Sequence, residues 1–148
     1  MNLKMEVSIR HARIEDAEPI SLLSDQLGYK SNNNRTLNRL VEILKNKDNC
    51  VFVAVDNDKI IGWIHGFYTL RVESDPFVEI GGLVVDKNYR KNGIGKLLVE
   101  YIINWCTSKK YRLIRVRCNT IRIESHKFYK NIGFIEKKQQ KIFDKQLE

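Results

Sequence analysis

The sequence has no long hydrophobic run. Its longest apolar stretches, such as Val51 to Val55 and Leu83 to Val85, fall far short of the ~18 residues that a membrane span requires, so no transmembrane helix is predicted. The first ten residues carry Lys4, Glu6 and Arg10 without an apolar core, which reads against a secretory leader and for a cytoplasmic protein. Asn34-Arg35-Thr36 fits a glycosylation sequon, but without export that match is read as chance. Cysteine is scarce: Cys50, Cys106 and Cys118 are odd in number and widely spaced, with no CxxC. That excludes a disulfide framework and a structural zinc site, and leaves reduced cysteines acting as small hydrophobes. Internal repeats, linkers and low-complexity segments are absent, and no metal site is expected.

What remains is an ordinary globular balance. The 148 residues are 43% hydrophobic and 30% charged, enough for one domain spanning 1–148 with its own core. Twenty-six Lys and Arg against eighteen Asp and Glu give a net charge of +8, which favours an anionic partner without saying which. The basic residues are scattered, with short concentrations only at Arg90 to Lys96 and Lys137 to Lys141. A nucleic-acid binder would instead show a basic stripe with interleaved aromatics.

Periodicity sets the element order. Val7 to Arg10 alternates as a strand, and Ala17, Ile20, Leu23 and Leu27 form a helical stripe that Gly28 ends. After the polar loop Ser31 to Asn34, Thr36 is the candidate N-cap of a second helix with Leu37, Leu40, Val41 and Leu44 on one face. Val51 to Asp56 and Ile60 to Tyr68, joined at Asn57-Asp58, predict a hairpin. Phe77 to Val85 is a further strand whose Gly81-Gly82 pair suggests a bulge or a close ligand approach. From Ile94, a helix carries Leu97, Leu98, Tyr101, Ile102 and Trp105. Leu113 to Cys118 follows as a strand, then a helix with Ser125, Phe128, Tyr129 and Ile132 ending at Gly133, then a terminal strand or hairpin from Phe134 to Leu147. The fold class is α/β (α+β mixed), with one parallel crossover from Phe77–Val85 to Leu113–Cys118.

The stretch from Leu83, Val84 and Val85 through Arg90, Lys91, Asn92, Gly93, Ile94, Gly95 and Lys96 is a buried strand feeding a basic, glycine-containing turn that opens a helix. Such a turn is a phosphate cradle: helix N-terminal N–H groups and cationic side chains meet the anion, and the glycines allow close approach. A dinucleotide fingerprint fails because Leu98 stands where the third glycine should be, and a P-loop fails for want of its lead and its Ser or Thr. A plain strand-to-helix turn on a basic surface is the alternative.

Arg90-x-x-Gly93-x-Gly95 after a strand, followed by Asn119 and by Ser125-His126-x-Phe128-Tyr129-x-x-x-Gly133-Phe134, resembles the paired motifs of the GNAT superfamily of N-acetyltransferases. The resemblance covers essentially the whole chain. It implies a GNAT fold, with a central mixed, mostly antiparallel sheet of six to seven strands flanked by about four helices. It also implies acetyl-CoA as cosubstrate, its pyrophosphate on Arg90 to Lys96 and its pantetheine arm along Leu83, Val84 and Val85. A backbone N–H near Val84 would polarise the thioester carbonyl. Asn119, Ser125 and Phe128 would complete the cofactor side, Asn119 by a bond to the pantetheine arm or, alternatively, as a turn former. Tyr129 would be the acid, or a hydrogen-bond donor, toward the leaving thiolate, and core packing is its alternative. Glu79, an acid inside an apolar run, is the candidate base. Its alternative is a solvated or arginine-paired carboxylate, and His65 and His126 compete for the role.

These readings predict a bacterial enzyme acetylating a primary amine of a small molecule, similar to small bacterial aminoalkylphosphonate or aminoglycoside acetyltransferases on account of Gln26-Leu27-Gly28-Tyr29 and the tail Gln139 to Phe143. Glu73 and Asp75 could attract a cationic acceptor, and Arg35, Arg39 or Arg71 an anionic one. No nucleic acid or membrane partner is expected; a homodimer is an option by analogy. The alternatives are acetylation of a protein lysine or N-terminus, and a non-catalytic module binding CoA or nucleic acid.

Overall fold

The structure, a computed structural model, describes residues 5–28, 30 and 32–148. They fall into two compact units, Met1–Val116 and Arg117–Glu148. Lys4, Tyr29 and Ser31, named in the sequence reading, lie outside the described residues.

The first unit is a five-stranded sheet in the order β1-β2-β3-β4-β5. Its strands are β1 (Val7–His11), β2 (Asn49–Asp56), β3 (Lys59–Thr69), β4 (Phe77–Val85) and β5 (Ile114–Val116). The first four pair antiparallel, and β5 runs parallel to β4, as the crossover predicts. Three helices belong to this unit: α1 (Ala17–Ser24), α2 (Asn33–Lys45) and α3 (Ile94–Ser108). The second unit holds α4 (Ile123–Asn131). Among the described residues no helix is long and apolar enough to cross a membrane.

The β2–β3 hairpin turns at Asn57 and Asp58, with φ of +46° and +70°, the left-handed pair that matches the twist of the flanking strands. On one sheet face Ala17, Ile20, Leu23 and Leu40 of α1 and α2 pack with Val51, Val53, Ile60 and Val84. On the other lies α3, whose Leu98 and Ile102 approach Gly62 and Gly66 of β3. Period two along β2 supplies both faces, since Phe52 between Val51 and Val53 meets Tyr101 of α3 at 5.5 Å. Asp16, buried where β1 hands over to α1, accepts the Arg10 guanidinium at 2.7 and 2.9 Å and the Arg13 N–H at 2.7 Å.

Several expectations are corrected. The sheet has five strands among the described residues, not six to seven. No strand forms in residues 134–148, where the apolar pairs Phe134-Ile135 and Ile142-Phe143 are consecutive rather than alternating and stand apart by six polar residues. Ile135, Ile142 and Phe143 are 87%, 81% and 86% exposed. The strand expected from Leu113 to Cys118 is paired only over Ile114–Val116. Asn32, not Thr36, caps α2, because its side chain accepts the Arg35 N–H at 3.2 Å. The apolar face of α2 also rotates: Ile43 packs inward and Leu44 is exposed. In α3 the buried positions are Ile94, Leu98, Val99, Ile102 and Cys106, while Leu97, Tyr101 and Trp105 flank them half-buried.

Gly62 sits where helix and sheet meet closely: a Cβ there would lie 3.0 Å from the Val84 carbonyl oxygen and 3.3 Å from Leu98 Cδ1. Gly62→Ala should therefore cost about 1–3 kcal/mol in urea-induced unfolding. A loss under half a kcal/mol would show that β4 yields there.

Candidate active site

The site is built on an irregularity of β4. Its register runs Glu79 opposite Phe67 and Ile80 opposite Gly66, then Gly82 opposite His65, so Gly81 is the extra residue of a bulge. A side chain at either glycine would force its neighbours to shift: a Cβ at Gly81 would lie 2.9 Å from Phe67 Cε1 and 3.1 Å from His65 Nδ1, and one at Gly82 would lie 2.6 Å from Trp63 Cη2.

The bulge reverses the direction of the backbone groups. Before it, the Val78 N–H donates to Leu113 O at 2.9 Å, so even-numbered residues face β5. After it, the Asp86 N–H donates to Ile61 O at 2.8 Å. By antiparallel alternation Val84 and Gly82 also face β3, while Leu83 and Val85 face away. Pairing to β5 ends at Ile80 and Val116, so beyond the bulge β4 has a free edge. The Val85 carbonyl agrees, accepting Arg90 Nε at 3.2 Å on that side. The donor expected near Val84 is therefore not Val84 itself, whose side chain is buried at 2% exposure and whose N–H faces β3. Leu83 and Val85 are the outward donors.

This free edge runs into the turn. Asp86, 6% exposed, accepts the Asn88 N–H at 3.1 Å and opens a short 3-10 turn, Lys87–Tyr89. Asn92 Nδ2 donates to the carbonyls of Tyr89 and Arg90 at 3.0 and 3.1 Å, so its side chain closes the loop. Lys91 and Gly93 turn the chain at φ +65° and +80°, and space is open where a Gly93 Cβ would stand. The first helical bond of α3 runs from the Leu97 N–H to Gly93 O at 3.0 Å, leaving the N–H groups of Ile94, Gly95 and Lys96 without a carbonyl one turn back. Arg90, Lys91 and Lys96 are exposed around them. An anion placed there meets backbone donors, a helix dipole and three cations.

Glu79 lies on β4, half-buried, with Phe67 and Arg115 as its register neighbours. His65 Nε2 lies 2.7 Å from Asn49 Oδ1, and burial lowers its pKa; its ring stands beside the bulge at Gly81. Glu79 and residues 83–96 thus share the first unit. In the second, Asn119 Oδ1 accepts the Ile121 N–H at 3.2 Å, and its carbonyl lies 2.9 Å from His126 Nε2. Ser125 and Phe128 are half-buried on α4. Tyr129 is buried and meets Phe128 and Phe134 edge-on at 5.0 and 5.3 Å. Burial, with Cys118 nearby, pushes its phenol well above the usual tyrosine value, and Arg122 only partly opposes this. Sequence reasoning missed the contacts that Gln26 and Lys59 make with Asp86 from distant elements; neither contact carries a local signal. Among the described residues no three His, Cys, Asp or Glu side chains gather as metal ligands would.

The sequence matches the acetyltransferase (GNAT) family over residues 14–134. Among solved structures, the aminoglycoside N-acetyltransferase AAC(6')-Iy in complex with CoA aligns at a TM-score of 0.87 and 22% identity, covering 99% of both chains. AAC(6')-IG from Acinetobacter haemolyticus aligns at 0.84 and 16%, covering 95% of this chain and 99% of that one. These likenesses establish a shared fold. N-acetylaspartate synthetase of Xenopus tropicalis is 31% identical over 91 residues, 62% of this chain and 32% of that protein. Human N-acetyltransferase 8 is 26% identical over 95 residues, 62% of this chain and 40% of that protein. The chain thus spans about a third of the length of the curated relatives it matches.

The raised pKa of Tyr129 has a direct optical consequence. In an alkaline titration followed at the tyrosinate band, the difference between wild type and Tyr129→Phe should show no step at pH ~10, the ordinary midpoint. A step at or below that pH would mean the phenol is not held in an apolar site.

Proposed function

Since the chain belongs to the acetyltransferase (GNAT) family, we propose that it transfers an acetyl group from acetyl-CoA to a primary amine of a small molecule by direct attack, with both bound together. The observation that carries this reading is the continuity of the outward N–H groups of Leu83 and Val85 with the cationic turn at residues 90–96. The residues present fit an acyl-CoA: a strand edge for the amide-bearing arm, then a cradle for its phosphates. Acetyl-CoA supplies the activated thioester, and everything else falls to the chain.

The Leu83 N–H, or failing it Val85's, donates to the thioester carbonyl as negative charge grows there. Losing one such donor in other enzymes costs ~10² to 10³ in rate. Residues 94–96 hold the pyrophosphate with backbone N–H groups while Arg90, Lys91 and Lys96 balance its charge. Glu79 accepts the proton of the attacking amine through water. Tyr129 donates a hydrogen bond to the departing sulfur. Full proton transfer is disfavoured, because a free thiol titrates near ~8.5 and the phenol is shifted upward from ~10.

A small-molecule acceptor is supported by the fold neighbours, one of which is bound to the bisubstrate analogue CoA-S-monomethyl-acetylneamine. Glu73 and Asp75 would attract a cationic amine, whereas Arg35, Arg39 and Arg71 suit an acceptor carrying a phosphonate or carboxylate. We further propose a bacterial, cytoplasmic enzyme, and a homodimer in which the exposed Ile135, Ile142 and Phe143 meet a second copy.

The test is thiol release from acetyl-CoA with panels of aminoglycosides, aminoalkylphosphonates, polyamines, amino acids and lysine peptides. One small-amine class should turn over, and Glu79→Gln should lower kcat by about 10²-fold or more and flatten the rise of rate with pH. Turnover confined to the peptides would overturn the acceptor class, and an unchanged pH profile would remove Glu79 as base.

A further inference from the structure

Beyond Gly82, β4 is held by a neighbouring strand on one side only, so the start of the turn needs support from elsewhere. That support is a side chain sixty residues upstream. Gln26 lies in the 3-10 turn Asp25–Leu27 that extends α1, two residues before Gly28, whose φ of +87° turns the chain away. Its Oε1 accepts the Lys87 N–H at 2.9 Å, and its Nε2 donates to Asp86 Oδ1 at 3.4 Å. The first is a well-formed bond and the second a long one. On this stem a primary amide offers acceptor and donor together, whereas an ionised carboxylate only accepts.

The residues it touches form the corner between strand and cradle. Asp86 caps the 3-10 turn through the Asn88 N–H and lies 3.8 Å from Lys59 Nζ, and Arg90 folds back on Val85 O at 3.2 Å. Every one of these bonds fixes the angle at which residues 87–93 leave the sheet. Gln26 is the one that reaches the corner from the helical layer.

We infer that Gln26 is a positioning residue, holding the strand-to-turn corner at Asp86 and Lys87 from α1 so that the cradle at residues 90–96 is set for the phosphates of the acyl donor. It acts through Asp86 and Lys87 and needs no contact with the ligand. The inference rests on the acetyl-CoA reading above and deepens it.

The probe is coenzyme A, titrated by calorimetry into wild type, Gln26→Ala and Gln26→Glu between pH 8 and pH 5, with unfolding of the free proteins measured in parallel. Gln26→Ala should weaken CoA binding about two- to tenfold, the ordinary worth of a neutral hydrogen bond, with little change in the free protein's unfolding midpoint. Gln26→Glu keeps an acceptor for Lys87 but sets a carboxylate against Asp86. Its affinity relative to wild type should therefore be poorest at pH 8 and recover toward pH 5, as protonation restores a donor there. The inference is overturned if wild type binds CoA and both variants stay within twofold of it at every pH, whatever happens to their stability. Should wild type itself fail to bind CoA, the acetyl-CoA reading fails first and the role of Gln26 falls with it.

Discussion

One unmatched residue, Gly81, governs the chemistry of the first unit. Without it, alternation along β4 would continue unbroken, and the outward N–H groups beyond Ile80 would belong to Gly82 and Val84. Val84 needs its side chain in the core beneath α1 and α2, and the bulge meets that need while turning the N–H groups of Leu83 and Val85 to the open edge. Glycine suits 81 and 82 because the rings of Phe67, His65 and Trp63 already occupy the space a Cβ would take. The polarity of the edge is thus a consequence of packing on the opposite strand.

The net charge of +8 is a poor guide to where an anion binds, since most of it is scattered and solvated. The local arrangement says more. In residues 90–96 the cations coincide with the start of a fifteen-residue helix and with a left-handed Gly93 that leaves the approach open, so fixed dipoles and mobile charges act on the same volume. The loop is closed internally by Asn92 and held at its root by Asp86, which limits the reorganisation it would undergo on meeting a phosphate.

Much of this was legible in the residues alone. The helix beginning at Ile94, the Asn57-Asp58 hairpin, the parallel crossover and the Gly81-Gly82 irregularity all follow from local chemistry, and the paired motifs pointed to the acetyltransferase (GNAT) family that residues 14–134 match. Direction was not legible: the residues alone point to a backbone N–H near Val84, and alternation on β4 cannot be phased to Leu83 and Val85 until the bulge is located against β3. Asn32 outcompeted Thr36 as a cap because a cap depends on which residue leaves helical geometry, which a run of polar residues does not reveal. The tail offered apolar residues but not a strand's alternation. Gln26 was invisible as a contact because its partners, Asp86 and Lys87, lie sixty residues away.

The central claim is that the bulge leaves the N–H groups of Leu83 and Val85 free for a ligand while committing those of Gly82 and Val84 to β3. Amide hydrogen exchange resolved by residue, with and without acetyl-CoA, reads this directly. In the free protein Gly82 and Val84 should exchange slowly and Leu83 and Val85 quickly; added acetyl-CoA should slow Leu83 and Val85 selectively. Protection of Leu83 and Val85 in the free protein, or protection appearing on Val84 instead when acetyl-CoA binds, would contradict the account.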